Sequence, residues 1–195
     1  ANSLFNGSFF HMNYLPYLCL IAINCFAGEC LPRADQVDKP ENIRFIVPDP
    51  MTLQGIVVDN THAVLVGIWK HSIHTPPFVG ISYIHALKEK KGEKSVTFTP
   101  DLPWSGIYEV RVSHNSNIRR ATKVPIRIRH AKGETIVLIN EGDPAPIKKL
   151  FRSIGKFQFI KGQHGFVRFG TAGTEGKYVI VDSVQFIPVA ELPAD

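Results

Sequence analysis

Short runs that alternate apolar and polar residues, separated by turn residues, fill the chain from Gly55 onward. Tyr108–Val112 and Ile126–Arg129 place apolar side chains at every second position, which is the period of a strand with one buried face. Proline and glycine in Pro100–Gly106 interrupt regular structure between two such runs. Ala145–Arg152 is the nearest candidate for a helix. The pattern predicts an all-β fold, an antiparallel β-sandwich of about eight strands.

An apolar run of thirteen residues, Leu15–Ala27, precedes the strand-rich part. It is too short to span a bilayer, and Met12 stands just before it. Cys25 and Ala27 occupy positions −3 and −1 of a cleavage site before Gly28, as in a signal peptide. A buried strand or helix is the alternative, but polar residues follow the run at once. The expected organisation is upstream residues and signal peptide (1–27), linker (28–54), β-sandwich (55–188) and tail (189–195).

Composition limits the class of protein further. With 195 residues and 44% hydrophobic residues, the chain can bury one good core. All three cysteines, Cys19, Cys25 and Cys30, fall in the first thirty residues, so the body has no disulfide framework and no thiolate metal site. The formal net charge of +5 favours anionic partners, although a solvated basic surface is the plainer interpretation.

Arginines recur at the polar positions of three predicted strands. Period two turns Arg127 and Arg129 away from the core, and the same pattern turns Arg111 outward on the preceding strand. Arg168 occupies the equivalent place in a later strand. If these strands share a sheet, their guanidinium groups line one outer face that could hold carboxylates or sulfates. An ordinary solvated face is the alternative.

Aromatic and histidine side chains give weaker signals. Trp104 lies in a turn, where an exposed ring could stack on a sugar, whereas Trp69 follows a predicted strand and suits the core. His71 and His74 are three residues apart in a strand or loop, which does not converge them on a metal ion. No nucleophile elbow, phosphate-binding loop or dinucleotide fingerprint occurs. We therefore expect no catalytic residues, no metal and no cofactor.

Several segments between Gly55 and Pro188 resemble the golvesin/xanthan-lyase carbohydrate-binding-like module, which also ends many bacterial FAD-dependent oxidoreductases. The segments are GIVVDN, VGIWKHS, GEKSVTFTPDLPWSGIYEVRVSH, RRATKVPIRIRHAKGETIVLIN and KYVIVDSVQFIP. The resemblance implies a jelly-roll-like β-sandwich with a sugar-binding role. Trp69, Arg120 and Asp182 match family positions, and we interpret Arg120 and Asp182 as a buried ion pair, with Asp59 nearby. A ligand contact by Arg120 is the alternative.

The resulting hypothesis is a secreted or periplasmic bacterial accessory module that is not an enzyme and binds a polysaccharide. The basic strands favour an acidic polysaccharide, through Arg111, Arg127 and Arg129, and Trp104 is a further candidate contact. The alternatives are a structural or docking domain for a catalytic partner, and a C-terminal fragment of an FAD-dependent oxidoreductase or a polysaccharide lyase. Nucleic-acid binding has only the net charge in its favour, and we expect no membrane association after signal cleavage.

Overall fold

The computed structural model describes residues 47–88 and 93–189. The predicted signal peptide, most of the predicted linker and residues 190–195 lie outside the described residues. The described part holds twelve β-strands, two 3-10 turns and no α-helix. The strands are β1 (Ile56–Asp59), β2 (Val64–Val66), β3 (Trp69–Ser72), β4 (Tyr83–Ala86), β5 (Ser95–Phe98), β6 (Gly106–Ser113), β7 (Val124–His130), β8 (Gly133–Ile139), β9 (Phe151–Phe159), β10 (Phe166–Gly170), β11 (Ile180–Val181) and β12 (Ser183–Pro188).

Two larger antiparallel sheets and one small sheet contain these strands. The four-stranded sheet has the order β1-β12-β6-β9, and the five-stranded sheet has the order β2-β5-β10-β7-β8. The small sheet has the order β11-β4-β3. The prediction of an antiparallel all-β sandwich is confirmed. The two large sheets hold nine strands, close to the expected count of about eight, and the small sheet adds three more.

Alternation along the long strands builds the core. Val110 and Val112 on β6, and Ile126 and Ile128 on β7, are fully buried as predicted. Side chains from all three sheets join in one hydrophobic cluster, in which the rings of Phe159 and Phe186 lie 5.6 Å apart, edge to face. This shared core joins the three sheets.

The last strand changes sheets at a single residue. β11 pairs with β4 in the small sheet, whereas β12 pairs with β1 and β6 in the four-stranded sheet. Asp182 lies between them and is buried. Its carboxylate oxygen Oδ2 accepts hydrogen bonds from Ser113 at the end of β6 and from the backbone N–H of Val79. Asp182 thus fixes the corner where the chain passes from one sheet to another.

The helical candidate at Ala145–Arg152 is wrong. Lys148 and Lys149 have φ values of 53° and 56°, in the left-handed region that no right-handed helix contains. Leu150 and Phe151 both donate backbone hydrogen bonds to Ile147, which closes a tight turn. This turn leads directly into β9.

Candidate functional site

The outer face of the five-stranded sheet carries a row of arginines. β10 and β7 pair so that Arg168 stands directly opposite Arg127, with Phe166 opposite Arg129. The side chains of Arg127 and Arg129 keep 48% and 60% of their surface exposed. Ile126 and Ile128 are buried in the core, and side chains alternate along a strand, so these arginines point to the opposite, outer face of the sheet.

Glu134 on β8 lies against this row. Arg129 faces it across the β7–β8 hairpin, and Arg127 is its diagonal neighbour. Arg127 Nη1 lies 2.8 Å from Glu134 Oε2, and Arg129 Nη1 lies 3.7 Å from Glu134 Oε1. The hydrogen bond from Arg127 holds the pKa of Glu134 below its ordinary value, and the charges of the neighbouring arginines act in the same direction. One carboxylate therefore spans two guanidinium groups.

Arg168 is positioned differently from the other two arginines. Its Nε donates a 2.9 Å hydrogen bond to Thr97 Oγ1 on β5, and its guanidinium carbon lies 4.7 Å from the centre of the Phe166 ring. Within residues 47–88 and 93–189, the ion pairs of this face join Arg127 and Arg129 to Glu134 and do not include Arg168. A hydroxyl and an aromatic face orient Arg168 without neutralising its charge.

A shallow cleft of about 500 Å³ lies on the same face. Arg127 and Arg168 line it, together with Ile136 and Val66 on the two edge strands of the sheet, β8 and β2. Ser95 and Gly170 also line it, and Gly170 contributes no side chain. The other lining residues are Glu93, Lys94, Pro125, Thr171 and Ala172. The lining thus combines three cationic residues and one acidic residue with apolar side chains.

The predicted grouping of Arg111 with Arg127 and Arg129 on adjacent strands is wrong. Arg111 lies on β6 in the four-stranded sheet, whereas the other two lie on β7 in the five-stranded sheet. Its side chain is 22% exposed and Nη2 donates a 2.7 Å hydrogen bond to Glu109 Oε2. The chain between β6 and β7 crosses from one sheet to the other, so consecutive strands are not neighbours here.

Trp104 lies in the turn between β5 and β6, and 52% of its surface is exposed. The turn is held by the hydroxyl of Tyr108, which donates a 2.8 Å hydrogen bond to the backbone oxygen of Trp104. Trp104 is not among the residues that line the arginine cleft. It is a separate exposed aromatic surface.

The four residues expected to have structural roles, Asp59, Trp69, Arg120 and Asp182, are all buried, but the expected ion pair is wrong. Arg120 donates through Nη2 to Asn115 Oδ1 at 2.7 Å, whereas Asp182 receives its hydrogen bonds from Ser113 and Val79. Burial raises the pKa of Asp182 to about 8, and the charge of Asp59 acts in the same direction. Asp182 is therefore held in its neutral form rather than paired with a cation.

A third buried carboxyl group, which the sequence interpretation missed, belongs to Glu141. One of its oxygens accepts a 2.8 Å hydrogen bond from the backbone N–H of Ile180. Burial raises its pKa well above the ordinary value, against the effect of the Arg120 charge.

The position of Trp69 is fixed by its indole N–H, which donates a 3.1 Å hydrogen bond to the backbone oxygen of Val66. These groups hold loops and strands together beneath the surface.

Sequence reasoning placed Arg168 on the predicted basic face but not among the candidate ligand contacts, and it missed Glu134. A signal for Glu134 was available, because the residues around Lys132 and Gly133 form a tight turn that places residues 129 and 134 opposite each other. No local signal could place β10 beside β7, since about forty residues separate these strands along the chain.

The part of the chain that the structure describes contains no group of three or more His, Cys, Asp or Glu side chains suited to a metal ion. His71 instead lies 3.0 Å from the Ser82 hydroxyl through its Nδ1. Among the same residues, no helix has the length and apolar character needed to cross a bilayer.

The chain is similar to polysaccharide-active enzymes over its strand-rich part. A xanthan lyase of Bacillus sp. (strain GL1) is 33% identical over 147 residues, which cover 73% of this chain and 16% of that protein. The solved structure of Paenibacillus xanthan lyase superposes with a TM-score of 0.62 at 30% identity, covering 69% of this chain and 13% of that one. The chain therefore corresponds to a small part of these relatives.

A solved carbohydrate-binding module has a similar fold. The CBM35 of Paenibacillus barcinonensis superposes with a TM-score of 0.51 at 14% identity, over 69% of this chain and the whole of that one. At this identity the likeness establishes a carbohydrate-binding-module-like fold. The profile of the Golvesin C-terminal domain family matches residues 56–188, the span from β1 to the end of β12. This chain belongs to the Golvesin C-terminal domain family.

Proposed function

We propose that this chain is a non-catalytic module that binds an acidic polysaccharide on the outer face of the five-stranded sheet. The observation that carries the proposal is the pair Arg127 and Arg168, opposed across β7 and β10 on the wall of an open cleft. Each guanidinium offers a planar set of donors that matches a carboxylate or sulfate group. The similarity to xanthan lyases and to a CBM35 supports the polysaccharide class.

The module would act as the accessory part of a polysaccharide-active protein outside the cytoplasm. An open face suits a long polymer better than a closed pocket does, because neighbouring sugar units can continue past both ends of the cleft. Such binding would hold an enzyme near its substrate without any chemistry on the sheet itself. The expected signal peptide agrees with this setting.

Titration of a polyuronate, such as polygalacturonate, and of neutral dextran tests the proposal by calorimetry at low and high salt. Replacing Arg127 or Arg168 by glutamine should weaken polyuronate binding by about 1.5–3 kcal/mol, the range for hydrogen bonds to charged groups. The triple variant with Arg129→Gln should lose binding, and added salt should weaken the wild type because exposed charges are screened.

The Arg111→Gln variant is the matched control, since it removes one positive charge from the other sheet. It should leave polyuronate binding nearly unchanged. Equal losses in Arg111→Gln and Arg127→Gln would point to unspecific charge attraction, and no binding of polyuronates or sulfated glycans would leave the docking-domain hypothesis in its place.

Trp104 supports a second candidate function, the binding of a neutral glycan at the turn. Its exposed ring could stack on the apolar face of a sugar. In that case dextran or another neutral glycan would bind, salt would have little effect and Trp104→Ala would abolish binding. The arginine variants would then behave like the wild type.

A further inference from the structure

Glu134 forms ion pairs with two of the arginines on the outer face of the five-stranded sheet. Its carboxylate spans Arg127 and Arg129 at 2.8 and 3.7 Å, in the position that a carboxylate from outside would take. Its side chain is 35% exposed, so it lies at the surface where a ligand would arrive and not beneath it. Glu134 is thus a carboxylate of the protein that pairs with Arg127, one of the two arginines of the proposed anion site, from a position beside the cleft.

We infer that Glu134 is a specificity-determining residue, which competes with the bound anion and restricts the site to ligands carrying several negative charges. This inference rests on the proposed function. A ligand with one carboxylate would exchange one anion for another at Arg127 and would also experience the negative charge of Glu134. A polymer binds more tightly than a ligand with one carboxylate, because Arg168, which forms no ion pair within the described residues, can bind a second anionic group of the same chain.

Glu134 could compete with the ligand for Arg127, or it could merely hold the Arg127 side chain in place, and a substitution distinguishes these two roles. Arg127 has five N–H donors, and Glu134 receives the donor on Nη1. If Glu134 acted merely as a brace, a neutral acceptor in the same place would hold Arg127 equally well. The variant Glu134→Gln keeps an acceptor oxygen and removes the charge, so the two roles predict different results.

We expect Glu134→Gln to bind polygalacturonate about three- to tenfold more tightly than the wild type at low salt, from the charge interaction at contact distance in water. The gain should shrink at high salt. It should be proportionally larger for a short oligogalacturonate than for the long polymer, because a competitor limits ligands of low charge most. Discrimination between polymer and oligomer should therefore weaken.

Glu109→Gln is the matched control. Glu109 pairs with Arg111 through the same kind of 2.7 Å contact, on the outer face of the other sheet, so this variant changes the net charge equally and releases one arginine. It should bind the polyuronate as the wild type does. Equal gains in both variants would mean that net charge alone acts, and unchanged binding by Glu134→Gln would make Glu134 a brace, since glutamine keeps an acceptor oxygen. Weaker binding would mean that the charge of Glu134 supports the site. Each of these results overturns the inference.

The proposed function and this inference can fail separately. If the wild type binds no acidic glycan, or if Arg127→Gln has no effect, the proposed site itself is wrong. If the wild type binds and the arginine variants lose affinity while Glu134→Gln gains none, the site is right and the role of Glu134 is wrong. Thermal unfolding of each variant shows that the folded protein is compared in every case.

Discussion

Two carboxyl groups of this protein, Asp182 and Glu134, show how surroundings determine charge. Asp182 is sealed in the corner between β11 and β12, where burial raises its pKa to about 8. Glu134 lies at the surface beside Arg127 and Arg129, and its pKa is lowered by the hydrogen bond from Arg127. Asp182 therefore serves as a neutral hydrogen-bonding group, whereas Glu134 carries a negative charge at neutral pH.

Asp182 should make the stability of the protein depend on pH. Its folded pKa is raised, so between about pH 4 and pH 8 the folded state holds a proton that the unfolded state has lost. Stability from this group is complete below pH 4 and is lost as the pH rises toward 8. Asp182→Asn removes this dependence, because asparagine is neutral at every pH and its oxygen can accept from Ser113 and Val79.

The measurement is urea unfolding of the wild type and of Asp182→Asn across this range. The stability advantage of the variant should grow by about 1.4 kcal/mol for each pH unit between about pH 4 and pH 8. Asp101→Asn changes an exposed aspartate and controls for net charge. A variant that is less stable by the same amount at every pH would show that Asp182 is ionised in the folded state.

The strands that form the arginine face were predictable in orientation and not in arrangement. Period two determined which side chains of β6 and β7 face the core, because Val110 and Ile126 are apolar and their neighbours are charged. It could not show that Arg111 and Arg127 belong to different sheets, since strand pairing depends on contacts far apart in sequence. The same limit concealed the proximity of Arg127 and Arg168. The local pattern thus predicted which side chains point to solvent, whereas only the complete fold shows which arginines lie together.

Gly170 at the end of β10 gives a prediction about the cleft. A side chain at this position would project into the cleft beside Pro125, whose Cγ lies 3.4 Å from the position of an added Cβ. Gly170→Val should weaken polyuronate binding at least tenfold by filling the cleft. The fold should tolerate it, because a β-branched residue suits a strand and the backbone has no left-handed φ there.

Calorimetry with polygalacturonate and urea unfolding together check this prediction. Gly106→Ala, at the start of β6 and outside the cleft, is the matched control: its backbone has no left-handed φ, an added Cβ makes an ordinary 3.7 Å contact with Trp104, and the variant should retain full binding. Unchanged affinity in Gly170→Val would show that the polymer does not enter the cleft.

The whole sandwich should unfold in one step, because a single hydrophobic cluster contains residues of all three sheets. The two tryptophans of the chain report on separate regions: Trp69 is buried in the small sheet, and Trp104 lies exposed in the turn before β6. Trp104→Phe and Trp69→Phe variants each leave one reporter. In each variant, fluorescence and far-UV circular dichroism should give the same urea midpoint.

The variant Trp69→Phe should have the lower midpoint, since it loses buried contacts and the hydrogen bond to Val66. Comparing two probes within one variant removes this difference from the test. Separate midpoints for fluorescence and circular dichroism would mean that the small sheet unfolds independently of the two large sheets.

The pairing of β1 with β12 affects how the protein folds during its synthesis. β1 is made early and lies at the edge of its sheet, and β12, its neighbour there, is completed more than 120 residues later. A ribosome must therefore release residues 183–188 before β1 gains its ladder of hydrogen bonds. Until then the apolar strands of the growing chain remain without their final partners and offer binding sites to chaperones. The sandwich can therefore close only after its last strand has been made.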